Sequence, residues 1–192
     1  LAKQSDTARK AQSYVQRNRT MPNQDQGFTL VELLVTLTVL AVVLAIAIPT
    51  FNSSLESVRQ RTLVNQLLAD LNFARSRAIT TRRPVSLCAG AASCDDQAMW
   101  SGQVLIFDDL DANGMIDETD VTLRTTAVTP SHSWKWRNFR QQRHMTFKPD
   151  GTTHSLNGTF ILCRHETPLR KIVINITGRA RLDAPKADDL CT

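Results

Sequence analysis

The run "QGFTLVELLVTLTVLAVVLAIAIPTF", Gln26 to Phe51, constrains this chain more than any other stretch. From Phe28 to Ile48 there are 21 residues with Glu32 as the sole charge. At about 1.5 Å rise per residue, a helix of that length matches the roughly 30 Å apolar thickness of a bilayer. A cleaved secretory signal fits poorly, because its apolar core is shorter and a small-x-small site follows it, whereas Pro49-Thr50-Phe51 follows here. Ahead of the run stand Lys3, Arg9, Lys10, Arg17 and Arg19 against Asp6 and Asp25. By the positive-inside tendency this end stays cytoplasmic and the remainder faces outward. Two residues are out of character. Glu32 puts a carboxylate into an apolar span, which costs a few kcal/mol on insertion scales and calls for a partner. Pro49 removes a backbone donor and weakens the helix there.

Beyond the span, about 140 of the 192 residues are left, enough for one domain with its own core. Leu55, Val58, Val64, Leu67, Leu68, Leu71, Ala74 and Ala78 keep the i, i+3, i+4 spacing of an amphipathic helix over 52–80, with Arg59, Gln60, Arg61, Asn65 and Asp70 on other faces. Arg82-Arg83-Pro84 ends it. The segments "PVSLCA", "GQVLIF", "VTLRTTA", "HMTF", "GTFILC" and "RKIVINI" are short apolar or alternating runs punctuated by Gly, Asp, Asn and Pro, which predicts antiparallel strands against that helix. The expected fold class is α+β, a long N-terminal helix packed on an antiparallel β-sheet head.

Gly27-Phe28-Thr29-Leu30-Val31-Glu32 resembles the processing site of type IV prepilins and type II secretion pseudopilins. Trp100-Ser101-Gly102 leading to "VLIFDD", the turn "DLDANG" and the late "IVINITGRARL" are similar to the FimT/FimU/GspH subfamily of minor pilins and pseudopilins. This resemblance implies a leader, 1–27, that prepilin peptidase cuts after Gly27, methylating Phe28 as the new amino terminus. It implies a transmembrane and assembly helix over 28–50, a periplasmic head over 51–192, and a Glu32 that pairs with the amino terminus of a neighbouring subunit. The expected location is the inner membrane, single-pass, and the extracellular pilus once assembled; the expected partners are other major and minor pilins. Met21 to Gly27 alone makes a leader of ordinary length, so residues 1–20 are expected to be disordered and an over-extended reading frame.

Four cysteines, Cys88, Cys94, Cys163 and Cys191, form an even set on the outward side, where oxidation permits disulfides. Three pairings are open. Cys88 with Cys94, closing a small loop, and Cys163 with Cys191, tying the tail to a strand, are favoured, and the resemblance implies the second pair. A zinc site is disfavoured, since no C-x-x-C occurs and only His165 lies near a cysteine. Asp109, Asp111, Asn113, Asp117 and Asp120, with Gly114 at the sixth position, follow the spacing of an EF-hand loop, but strands rather than helices flank it and an aspartate ends it. The alternatives are a calcium loop and a plain acidic β-turn, of which the second is expected, with no metal or other cofactor.

From His132 to Leu182 the chain carries Lys135, Arg137, Arg140, Arg143, Lys148, Arg164, Arg170, Lys171, Arg179 and Arg181, opposed only by Asp150 and Glu166. Such a surface attracts polyanions, and guanidinium forks match phosphate, so DNA is a natural ligand; a solvated basic face is the alternative. Trp134, Trp136 and Phe139 interleave with these charges and suit either stacking on bases or a strand's core face. Gly178-Arg179-Ala180-Arg181 resembles the G-R-x-R signature of FimT-like minor pilins associated with DNA binding in natural transformation. The resemblance implies that Arg179 and Arg181 contact double-stranded DNA, with Lys171 and Lys186 as weaker candidates by nearness. The four histidines have no catalytic spacing, and no phosphate-cradling glycine loop or nucleophile motif occurs, so no enzyme is expected. The alternative function is that of a GspH-like type II secretion pseudopilin without DNA binding, which the cysteine pairs and basic tail disfavour.

Overall fold

The computed structural model describes residues 27–153 and 155–191. The leader expected over 1–27, apart from Gly27, lies outside the described residues. Helix α1 runs from Leu30 to Thr81 with Pro49 inside it. Its start has a local cause: the Thr29 hydroxyl accepts the Glu32 amide at 3.2 Å, so Thr29 is the N-cap and Glu32 the third helical residue. That is the T-x-x-E pattern of a capping box, and it places a carboxylate at the positive end of the helix dipole.

The described residues fall into two compact units that divide between Ile48 and Pro49. In the first, every helical side chain from Leu30 to Ile48 is exposed, and the helix is long and apolar enough to cross a membrane.

The second unit contains the rest of α1 and nine strands: β1 (Val85–Ala89), β2 (Met99–Trp100), β3 (Gln103–Asp108), β4 (Val121–Ala127), β5 (His132–Asn138), β6 (Met145–Phe147), β7 (Gly158–Arg164), β8 (Thr167–Ile174) and β9 (Ala180–Asp183). They form two antiparallel sheets, in the orders β4-β3-β1-β6 and β2-β5-β7-β8-β9. Leu63, Val64, Leu67, Leu71, Ala74 and Ala78 of α1 share one continuous core with both sheets. Alternation along each strand supplies the other wall: Val85, Leu87, Val104 and Ile106 from the first sheet, Trp134, Trp136, Phe160, Leu162, Ile172 and Ile174 from the second.

Each sheet carries a small second cluster on the face turned away from this core. On the first, Cys88, Leu105 and Phe107 pack with Cys94 and Ile116; on the second, Ile161 and Cys163 pack with Cys191. Cys88 is bonded to Cys94 and Cys163 to Cys191, with Cα separations of 5.6 and 5.9 Å. A disulfide therefore closes the outer face of each sheet.

Three details depart from the sequence reading. Leu55 and Val58 keep the helical spacing but are exposed, because the packed face begins at Leu63. Asp70 is buried, where a polar outer face was expected, because Arg124 of β4 reaches it at 3.1 Å while stacking on Phe73. Strands β2 and β9 were not among the expected strands, and of the two alternatives for Trp134 and Trp136 the strand's core face is the one observed: β5 places His132, Trp134 and Trp136 inward and Ser133, Lys135 and Arg137 toward the other face.

Candidate nucleic-acid interface

The hairpin β8–β9 carries the proposed arginines at the edge of the five-stranded sheet, in the register Ile172↔Leu182, Val173↔Arg181 and Ile174↔Ala180. Its turn, 175–179, is fixed from within. The Asn175 side chain accepts the Arg179 amide at 2.9 Å and the Thr177 hydroxyl at 2.8 Å, and the Gly178 amide donates to the Asn175 carbonyl at 2.9 Å.

The turn is also docked on a neighbouring loop. The Thr153 amide donates to the Ile176 carbonyl at 3.0 Å, and Arg75 Nε donates to the Gly151 carbonyl at 2.9 Å. Gly178 has φ +74°, and a Cβ there would stand 2.1 Å from the Gly151 oxygen. Both the backbone angle and the close approach demand glycine. The first residue of the G-R-x-R motif is thus a packing requirement that sets where the next residue leaves the turn.

Arg179, the last residue of the turn, and Arg181, in β9, are both exposed. Among the described residues the Arg179 side chain has no hydrogen-bond or ion-pair partner. Arg181 is 74% exposed in its side chain and reaches Asp183 only at 3.7 Å. Two guanidinium groups on a rigid edge, little compensated, can neutralise phosphates without first breaking internal pairs.

Lys171 corrects the sequence reading. Its side chain is 9% exposed and its Nζ stands 2.7 Å from Asp189 Oδ2, so it is committed to the tail and does not face solvent. Asp189 also accepts from Arg137 at 2.8 Å and from the Lys186 amide at 2.8 Å. Burial pushes the Asp189 carboxyl up, but hydrogen bonds from Lys171 and the Lys186 amide, with the charges of Lys171 and Arg137, together hold it below its ordinary value. Lys186 has an exposed side chain on this tail and not on the hairpin. Together with the Cys163–Cys191 bond, these contacts strap residues 184–191 over the outer face of the second sheet.

The aromatic residues separate cleanly. Trp134 and Trp136 are 1% and 2% exposed and pack with Trp100 and Phe160 in the core, which excludes them from stacking on a ligand. Phe139 is 91% exposed.

The acidic loop between β3 and β4 is a folded turn. Asp109 is buried and accepts from the Ser86 hydroxyl at 2.5 Å, the Gly114 amide at 2.9 Å and the Asn113 amide at 3.1 Å, and burial pushes its carboxyl up. Asp117 accepts from Thr119, Asp120 from the Leu110 and Asp117 amides, and Asn113 from the Met115 amide. The loop oxygens thus hold the loop's own backbone. Among the described residues no group of three or more His, Cys, Asp or Glu is placed to hold a metal ion.

The sequence profile described as type II transport protein GspH matches residues 63–178, from the first buried turn of α1 to the glycine of the hairpin turn. The chain belongs to the GspH family. In this GspH-family chain the profile of the prokaryotic N-terminal methylation motif matches residues 22–48. Among solved structures, the type IV minor pilin FimU of Pseudomonas aeruginosa is similar in two crystal forms. One aligns at 26% identity and TM-score 0.56, covering 71% of this chain and 98% of FimU; the other at 27% and 0.53, covering 69% and 99%. No curated protein matched. A long helix on antiparallel sheets is thus the pilin fold, and the chain is of the minor type IV pilin and pseudopilin family. The GspH match stops at Gly178, so Arg179 and Arg181 lie just outside it.

Proposed function

We propose that this GspH-family chain is a minor type IV pilin that contributes to pilus assembly and binds double-stranded DNA through Arg179 and Arg181. Prepilin peptidase cuts between Gly27 and Phe28, residues 28–50 anchor the chain in the inner membrane, and the head stands in the periplasm until assembly carries it outward. Glu32 pairs with the amino terminus of a neighbouring pilin. The role is structural and binding, with no catalysis.

What carries the DNA reading is the exposure of Arg179 and Arg181 on a hairpin edge whose turn is locked by Gly178. Phosphate neutralisation releases counterions, with a slope of log K against log salt of about −0.9 per phosphate contacted. The Arg179→Ala/Arg181→Ala variant, assayed by gel shift on duplex DNA across a salt series, is expected to bind more weakly and with a slope shallower by about 1.8. An unchanged slope removes the pair from the interface.

A second reading, a pseudopilin of a type II secretion system, is favoured by the description of the matching family. Shearing and cross-linking decide between them: recovery with type IV pilus subunits supports the first, recovery with secretion pseudopilins the second.

A further inference from the structure

Phe139 is the most exposed large apolar side chain among the described residues, at 91%. Its exposure is built into the fold. It sits in a turn where the Gln141 amide donates to the Asn138 carbonyl at 3.2 Å. The Asn138 side chain clamps the same turn twice, donating to the Gln142 carbonyl at 2.7 Å and accepting the Gln142 amide at 3.1 Å. Beyond the turn, the core indoles of Trp100 and Trp136 donate to the carbonyls of Arg143 and His144 at 3.1 and 2.9 Å. An ordered turn, tied to the core at its far side, therefore holds an aromatic ring out in water.

Guanidinium and amide groups stand on both sides, with the acidic loop of Asp111 and Asn113 bordering one of them. Arg143, Gln141, Gln142 and Asn138 line a groove of about 160 Å³ on one side of the turn; Arg140, Gln142, His144 and Asn113 line another of about 190 Å³. Among the described residues no aspartate or glutamate lines either. Asn138 and Asn113 are committed within their own loops, so the donors beside the ring are Arg140, Arg143, Gln141 and Gln142. An aromatic face with guanidinium and amide donors beside it is the chemistry that binds an unstacked nucleobase and its phosphate.

The sheet register connects this turn to the arginine hairpin. Asn138 pairs with Gly158, Gly158 with Ile174, and Ile174 with Ala180, so these four positions form one row across the sheet. The turn after β5 and the turn before β9 leave the same end, three strand spacings apart, or about 14 Å. That distance is about four nucleotides of one strand at 3.4 Å each.

We propose that Phe139, flanked by Arg140 and Arg143, is a base-stacking site, and that the preferred ligand is DNA with unpaired bases, such as a single-stranded overhang. A strand leaving a duplex held at Arg179 and Arg181 lays its first unpaired base on the Phe139 ring. This inference rests on the DNA reading above and names the substrate class.

The test uses the full chain in detergent micelles and fluorescence anisotropy with two labelled probes: a blunt duplex and the same duplex with a short 3′ or 5′ overhang. The expected result is overhang binding tighter by roughly tenfold, the size of one stacked base. Phe139→Ala removes that preference and leaves blunt-duplex binding unchanged, and Phe139→Trp restores it. Arg179→Ala/Arg181→Ala weakens both probes. Equal binding of the two probes by the wild-type chain overturns the proposal while leaving the duplex reading intact. Equal weakening of both probes by Phe139→Ala overturns it too. Absence of binding to either probe at low salt overturns the DNA reading itself and this proposal with it. Phe139→Ala abolishing recovery with pilin subunits at unchanged probe affinities identifies the ring as a protein-docking residue and overturns base stacking.

Discussion

Cys163→Ser with Cys191→Ser is the perturbation whose magnitude the structure fixes best. The bond joins residues 28 apart in sequence, against 6 for Cys88–Cys94. In the chain-entropy account, opening the larger loop costs about 3.6 kcal/mol at 25 °C and opening the smaller about 2.2 kcal/mol. The difference is about tenfold in the unfolding equilibrium. The compact unit from Pro49 onward suits a urea titration followed by tryptophan fluorescence, since Trp100, Trp134 and Trp136 all lie in its core. With a denaturant slope of about 2 kcal/mol per molar, the midpoint falls by about 1.8 M for the 163/191 variant and about 1.1 M for Cys88→Ser/Cys94→Ser. The native-state losses point the same way, because the larger loop carries Asp189, the partner of buried Lys171. A midpoint for Cys88→Ser/Cys94→Ser as low as that of the 163/191 variant refutes the loop-entropy reasoning.

Two further perturbations test the strap and the hairpin. The Asp189 carboxyl is held below its ordinary value, so its contribution to stability is present above the unfolded carboxylate range and is lost as pH falls through the folded value. Acid titration of Asp189→Asn, followed by circular dichroism, is expected to show lower stability at neutral pH and less dependence on pH below about 4. Gly178→Ala puts a Cβ 2.1 Å from the Gly151 carbonyl at φ +74°, a strain of roughly 1–3 kcal/mol or more, read as a lower melting temperature with weaker binding of duplex DNA.

Much of this was legible in the residues, and the failures have physical causes. The stripe Val64, Leu67, Leu71, Ala74 and Ala78 and the apolar span are strong periodic signals, so α1 and its packed face emerge from spacing alone. Strand β5 was legible only as an alternative, because Trp134 and Trp136 alternating with Lys135 and Arg137 suit a strand's core face and a basic ligand-binding segment equally. The choice between them falls only when the sheet supplies Phe160 as a neighbour. Arg179 and Arg181 stand out through a short motif, but Lys171, eight residues before Arg179, was misplaced because nearness along the chain does not say which sheet face a residue takes. Its partner Asp189 comes 18 residues later, beyond any local pattern. Phe139 was ambiguous for a related reason: an aromatic among arginines is equally at home in a core or in solvent, and only the Asn138 clamp decides.

The strap over the second sheet has a consequence for the electrostatics of the head. With the Cys163–Cys191 bond closed, Asp189 is delivered to Lys171 as an intramolecular neighbour at high effective concentration, so a pair that would be weak between separate molecules is nearly saturated. The covalent bond and the ion pair are linked: what strengthens either strengthens the other. Reducing the disulfide is expected to lower the effective concentration of Asp189 at its sheet and so to weaken its pairs with Lys171 and Arg137.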